Sequence, residues 1–169
     1  MTFSRKSLFV LAATFAFAPA AGAAVDTANV IVTATVANGC SIDNGALDFG
    51  LYNTQDPVAH DAIGDVTVQC NDGTPATITL GQGANATGAS TDAVPDRQMA
   101  GLIGGLLKYS LFTDLGRTDI WGNTALTGYI HPAANGGLAV ALVIYGTIPA
   151  LQGGVGTSYT DTVIATITF

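Results

Sequence analysis

The residue types that carry most protein chemistry are scarce in this chain: two cysteines, two histidines, twelve aspartates and no glutamate. His60 and His131 each lie beside turn-forming residues, and neither has a Cys, His or Glu at metal-ligand spacing. A catalytic imidazole needs a positioned partner, so both read as exposed loop residues. Asp48 and Asp161 each adjoin a run of core-type residues. A buried carboxylate that accepts hydrogen bonds from turn amides explains them better than a catalytic pair. Gly81-Gln82-Gly83 and the glycines of residues 101–105 could suggest phosphate loops, but no Gly-Lys-Ser or Gly-Lys-Thr follows them, so they read as turns. Trp121, Tyr109, Tyr129 and Tyr145 could line a sugar-binding face, although core or edge packing is the commoner fate of such rings. No catalytic residue, metal ligand or cofactor is assigned.

Cys40 and Cys70 stand thirty positions apart, far from the C-x-x-C spacing of redox and zinc pairs. Their chemistry depends on the compartment, and the amino terminus bears on that. Arg5 and Lys6 precede an apolar run over residues 8–18, then Pro19 and the small-residue stretch Ala21-Gly22-Ala23. This is the pattern of an export signal, so residues 1–23 are expected to be a signal peptide. The run is well short of the ~20 apolar residues a spanning helix needs, and no later segment reaches that length. The mature chain is therefore expected to have no membrane span. In an oxidising compartment two lone thiols have one intramolecular option, a Cys40–Cys70 disulfide. Closing a loop of that size stabilises the fold by about 3.5 to 4 kcal/mol on chain-entropy grounds.

The expected mature chain has 169 − 23 = 146 residues, enough for one domain. Its charge is lopsided: Arg97, Lys108 and Arg117 face twelve aspartates, a net charge of 3 − 12 = −9. Nucleic acids and anionic membrane surfaces need a basic stripe, so both are excluded as partners.

The elements that would position these residues read as strands. Thr, Val, Ile, Gly and Asn are plentiful, whereas the mature chain holds three Lys and Arg in all and no Glu. Residues 29–36 alternate Val30, Val32, Ala34 and Val36 against Ile31, Thr33 and Thr35, which predicts a strand. Further strands are expected over residues 47–52, 65–70, 76–80, 106–112, 125–130, 138–148 and 160–169. Asn71-Asp72-Gly73 suggests that 65–70 and 76–80 pair as a hairpin, with Val66, Val68 and Cys70 facing inward. Residues 81–96 read as a loop. At the end of the chain Val163, Ala165, Ile167 and Phe169 share one face, and Thr162, Ile164, Thr166 and Thr168 the other. Such a strand is a liability unless something pairs beside it. Strands at this spacing with Gly-rich connections indicate a sandwich or barrel.

Several segments together resemble a known family. They are Val32-Thr33-Ala34-Thr35-Val36 leading to Cys40, Leu47-Asp48-Phe49-Gly50, and Val66-Thr67-Val68-Gln69-Cys70. Lys108-Tyr109-Ser110-Leu111-Phe112-Thr113-Asp114, Trp121-Gly122, Tyr145-Gly146-Thr147-Ile148-Pro149 and Gly156-Thr157-Ser158-Tyr159-Thr160-Asp161-Thr162-Val163 follow in order. The set is similar to the spore coat protein U domain, the family that includes major subunits of archaic chaperone–usher pili.

That resemblance implies an incomplete immunoglobulin-like β-sandwich, all-β, completed by a donor strand from outside. It implies a periplasmic chaperone and an outer-membrane usher as partners, then neighbouring copies or related pilins joined head to tail. It also implies export to the periplasm, a place in a surface fibre, and support of adhesion and biofilm formation. Residues 24–38 become the donor segment or first strand, with Val30, Ile31, Val32, Ala34 and Val36 as donor residues, and residues 39–169 the pilin-like domain. Val163, Ala165, Ile167 and Phe169 become the carboxyl-terminal strand lining the acceptor groove and facing the chaperone. Tip subunits of such fibres carry an added binding domain for which this chain has no room, so a shaft or adaptor place is expected. The alternatives are a spore- or cell-coat structural protein and a free-standing carbohydrate-binding module.

Overall fold

The computed structural model describes residue 22, residues 24–132 and residues 136–169. The expected signal peptide, apart from Gly22, lies outside the described residues. The chain divides into two units, Met1–Thr35 and Val36–Phe169. In the first, residues 24–35 form no strand or helix, and their side chains are exposed. The strand expected over residues 29–36 is therefore absent. Alternation supplies a two-faced segment, but a strand exists only where a partner backbone takes up its N–H and C=O groups.

The second unit holds nine strands among the described residues: β1 (Cys40–Ile42), β2 (His60–Cys70), β3 (Ala76–Leu80), β4 (Arg97–Gly101), β5 (Leu106–Phe112), β6 (Tyr129–His131), β7 (Ala139–Ile148), β8 (Tyr159–Thr160) and β9 (Ala165–Thr168). They form a six-stranded sheet in the order β1-β2-β7-β5-β4-β8 and a three-stranded sheet in the order β6-β3-β9. Every pairing is antiparallel. The architecture is an all-β, immunoglobulin-like sandwich that stays open along one side.

Period-two patterning explains which residues fill it. Val66, Val68 and Cys70 of β2, Leu107, Tyr109 and Leu111 of β5, and Leu142, Ile144 and Ile148 of β7 are buried from one sheet. Ala76, Ile78 and Leu80 of β3 meet them from the other, with Trp121 fully enclosed at 0% exposure. The long β2–β7 pairing runs from His60↔Ile148 to Gln69↔Ala139 and is the backbone of the larger sheet.

Several expectations change. The hairpin between residues 65–70 and 76–80 does not form: β2 pairs with β1 and β7, whereas β3 pairs with β6 and β9 in the opposite sheet. The turn at residues 71–73 carries the chain across the sandwich, because Cys70 and Ala76 both bury inward from facing layers. The strand expected over residues 125–130 shrinks to β6, since the Thr124 and Thr127 hydroxyls bond each other and hold a turn before it. Residues 47–52 form no strand but a covering segment. The expected final strand splits into β8 and β9, one in each sheet. β4 was not legible as a strand at all, because its inward-facing first residue is Arg97.

Candidate functional site

The open side of the sandwich is where strand edges and core meet. β9 pairs with β3 from Thr77↔Thr168 to Leu80↔Ala165, and no described strand lies along its other edge. Ile164 and Thr162 turn their carbonyls toward the β3 side, accepting from Gly81 N and Ala84 N. By the two-residue period, the backbone groups of Val163, Ala165 and Ile167 face the open edge. Val163, Ala165 and Ile167 are half-buried and pack against the core, while Ile164, Thr166 and Thr168 are exposed. Phe169 departs from its expected inward place and is 58% exposed.

Facing β9 across the opening is the covering segment that follows β1. Leu47 and Phe49 pack inward on the core. Gly146 makes this possible, since a Cβ there would lie 2.8 Å from both Leu47 Cδ1 and Phe49 Cζ. Between segment and strand runs a cleft of ≈ 470 Å³, with Val66, Leu80, Tyr109, Leu111 and Ile144 of the core among its lining. A further cavity of ≈ 860 Å³ shares Leu47, Phe49, Met99 and Tyr159 with the cleft, and extends it past Tyr52, Leu107 and Ile148. The result is an elongated apolar groove whose floor is the protein's own interior. An apolar floor flanked by an unpaired strand edge suits one kind of ligand, an extended peptide with alternate apolar side chains.

A polar knot fixes the wall of this groove where β8 hands over to β9. Asp161 accepts hydrogen bonds from Tyr109 Oη at 2.7 Å, Ala84 N at 2.9 Å and Asn85 Nδ2 at 3.0 Å. Gly83, at φ +88°, lets the loop close over the carboxylate, because a Cβ there would collide with Asp161 Oδ2. Burial, then the bond to Asp161, drives the Tyr109 phenol well above its ordinary range. Beside it Arg97 is fully buried, donating from Nε to Gly81 O and from Nη2 to Leu80 O and Trp121 O. Burial lowers its pKa to about 10, against the pull of Tyr109 and Asp161, so it stays charged at neutral pH.

Asp48 does bond a turn amide, accepting from Gly50 N, but it departs from its expected burial and is exposed, because the bond is local to a surface turn. The histidines depart from the exposed-loop reading: His60 is half-buried with Nε2 2.6 Å from Phe49 O, and His131 is buried at the end of β6. Trp121 donates Nε1–H to Ile78 O inside the core and offers no face to a sugar. Cys40 and Cys70 are joined in a disulfide, with Cα atoms 4.0 Å apart, which pins β1 to the end of β2. Val30, Ile31, Val32 and Ala34 lie in the first unit and Val36 at the start of the second, all exposed. Among the described residues no cluster of three or more His, Cys, Asp or Glu could hold a metal ion. Nor is any described helix long and apolar enough to cross a membrane. Met99 and residues 45–46 of the cleft escaped the sequence reading, as did the burial of Arg97; the one signal for Arg97 was a lone cation between a loop and an apolar stretch.

Comparison with known proteins decides the family. The profile of the Spore Coat Protein U domain matches residues 26–166. The chain belongs to the Spore Coat Protein U domain family. A relative of this domain, "Protein U" of Myxococcus xanthus, is 43% identical over 167 residues, covering 91% of this chain and 90% of the relative. Among solved structures, one is the CsuC-CsuE chaperone-tip adhesion subunit pre-assembly complex from archaic chaperone-usher Csu pili of Acinetobacter baumannii. It aligns with a TM-score of 0.53 at 21% identity, over 80% of this chain and 40% of that chain. That likeness is one of fold.

Proposed function

We propose that this Spore Coat Protein U domain is a structural subunit of a bacterial surface assembly, polymerising by strand lending. The observation that carries the reading is the open edge of β9 beside a groove floored by core side chains. Residues 25–36 are the segment that fits it. From Ala28 onward their even-numbered face, with Val30, Val32, Ala34 and Val36, is apolar, and the opposite face mixes Ile31 with Thr33 and Thr35. Lengths agree as well: the wall from Tyr159 to Phe169 counts 169 − 159 + 1 = 11 residues, and the donor segment 36 − 25 + 1 = 12. Each subunit lends its segment to the next, a heterologous linkage that propagates as a filament.

In this reading residues 1–23 direct export and are removed, and a periplasmic chaperone strand fills the groove until an outer-membrane usher passes the subunit to the growing fibre. The fibre then supports adhesion and biofilm formation. A coat-building role is a second reading, favoured by the family's description and by the kinship with Protein U. Strand lending serves either product, and electron microscopy of the assembled material separates fibre from coat.

The test is the melting temperature of the mature chain, residues 24–169, with a synthetic peptide covering residues 24–38. Peptide at about 100 times its dissociation constant should stabilise the chain by about 2.7 kcal/mol, while a scrambled peptide should do nothing. A melting curve that saturating peptide leaves unmoved would refute strand lending.

A further inference from the structure

We propose that one end of each subunit is a seat for the opposite end of the next copy of this chain, so that neighbouring bodies abut. The inference rests on the strand-lending reading and adds a second contact to it. Chain length is the starting point. Only Ala37, Asn38 and Gly39 separate Val36, the last donor residue, from Cys40 at the start of β1. Four Cα steps span at most ~14 Å. When the donor segment fills a neighbour's groove, its own body therefore begins within about that distance of the groove's exit.

Strand direction says which exit. A donor antiparallel to β9 makes the stronger ladder. Its amino-terminal part then lies beside Thr168, and its carboxyl-terminal part beside Ala165 and onward to Tyr159. The donor thus leaves at the end of the sandwich where the β4–β5 hairpin turns. Leu51 and Val155 line the cavity there, and the Leu102 amide bonds Ser158 O, which lines the same cavity. Leu51, Leu102, Ile103 and Val155 are all exposed there, with Leu102 at 84%. What arrives is the disulfide end of the next body, where Cys40 pairs with Cys70 and the chain turns through residues 71–73. That end displays apolar groups of its own: Pro75 just before β3, Pro132 just after β6 and Leu138 just before β7 are exposed. Two apolar rims that a three-residue connection holds within reach of each other lose water when they meet. The contact is heterologous, hairpin end to disulfide end, and repeats at every joint.

Cross-linking tests it in the assembled polymer. A Leu102→Cys, Leu138→Cys chain, its native cysteines remaining paired, is polymerised and treated with a short bis-maleimide, then boiled in detergent. A ladder of covalent oligomers is expected, and none from a Leu102→Cys, Val143→Cys chain, whose second thiol lies on β7 away from both ends. A second variant, Leu102→Asp with Ile103→Asp, should still polymerise but give filaments of shorter persistence length in electron micrographs. Polymers that form normally yet give no ladder, with the aspartate variant as stiff as the parent, overturn the end contact and leave strand lending standing. Failure of the parent chain to polymerise, or to capture the residue 24–38 peptide, overturns both.

Discussion

Asp161 ties three distant pieces together, the β8–β9 junction, the loop at residues 83–85 and the middle of β5, through bonds from Ala84 N, Asn85 Nδ2 and Tyr109 Oη. The two ends of the Tyr109–Asp161 bond are not equivalent. In Tyr109→Phe the carboxylate keeps its two other donors, so the loss is about 1 kcal/mol, that of one net hydrogen bond. In Asp161→Ala the buried phenol and Asn85 Nδ2 both lose their acceptor, while Ala84 N keeps Thr162 O, and the cost rises to about 2 to 3 kcal/mol. Urea denaturation checks this through midpoints at unchanged slope, and equal losses from the two variants would contradict the asymmetry. Asp161 was legible as a hydrogen-bonded carboxylate because it adjoins a run of core-type residues, but its partners were not. Tyr109 lies 52 positions away, and nothing local in either stretch encodes their meeting. Arg97 was illegible for a related reason: a cation at the inward position of β4 breaks the apolar alternation, and only the carbonyls of Leu80, Gly81 and Trp121 make the place tolerable.

Alternation is a property of elements, and it succeeded where one sheet face meets the core. Val66, Val68 and Cys70, or Leu107, Tyr109 and Leu111, are buried as their period requires. Pairing is a different quantity. A turn such as Asn71-Asp72-Gly73 looks the same whether it closes a hairpin or crosses between sheets, and here it crosses. The proposed donor segment shows the same limit, since residues 29–36 carry a strand's pattern without a strand's partner. For the candidate site, the β9 wall was readable from Val163, Ala165 and Ile167, whereas the facing wall was read as a strand and is a covering segment held down at Gly146. The β9 assignment yields a direct test. Ile167 is half-buried on the groove side and Thr166 exposed on the other. Ile167→Asp places a carboxylate where, in the strand-lending reading, an apolar donor side chain sits, at a cost of several kcal/mol unless the group is neutralised. That variant should lose capture of the residue 24–38 peptide and lose polymerisation, and Thr166→Asp should keep both. Normal polymers from Ile167→Asp would mean that the inward face of β9 is wrongly assigned.

Charge acts on the whole molecule. With residues 1–23 removed, as the proposed export requires, the chain carries 3 − 12 = −9, and in the proposed polymer every joint brings two such bodies together. For two bodies with centres roughly 30 Å apart, the unscreened repulsion in water is of order 10 kcal/mol. Screening reduces it to roughly 4 kcal/mol at 0.01 M salt, where the Debye length is about 30 Å, and to roughly 0.5 kcal/mol at 0.1 M, where it is about 10 Å. Assembly of the chain with itself should therefore be slow in dilute buffer and accelerate steeply as salt is raised, levelling off above about 0.1 M. The isolated donor peptide provides the control, because residues 24–38 contain one charged side chain, Asp26, against 3 − 11 = −8 on the remainder. Its capture meets about one-ninth of the charge product and should change little over the same range. Light scattering follows the first process and fluorescence of a labelled peptide the second. If both rise equally with salt, the effect belongs to the groove's apolar interior, which salting-out strengthens, and not to repulsion between subunits.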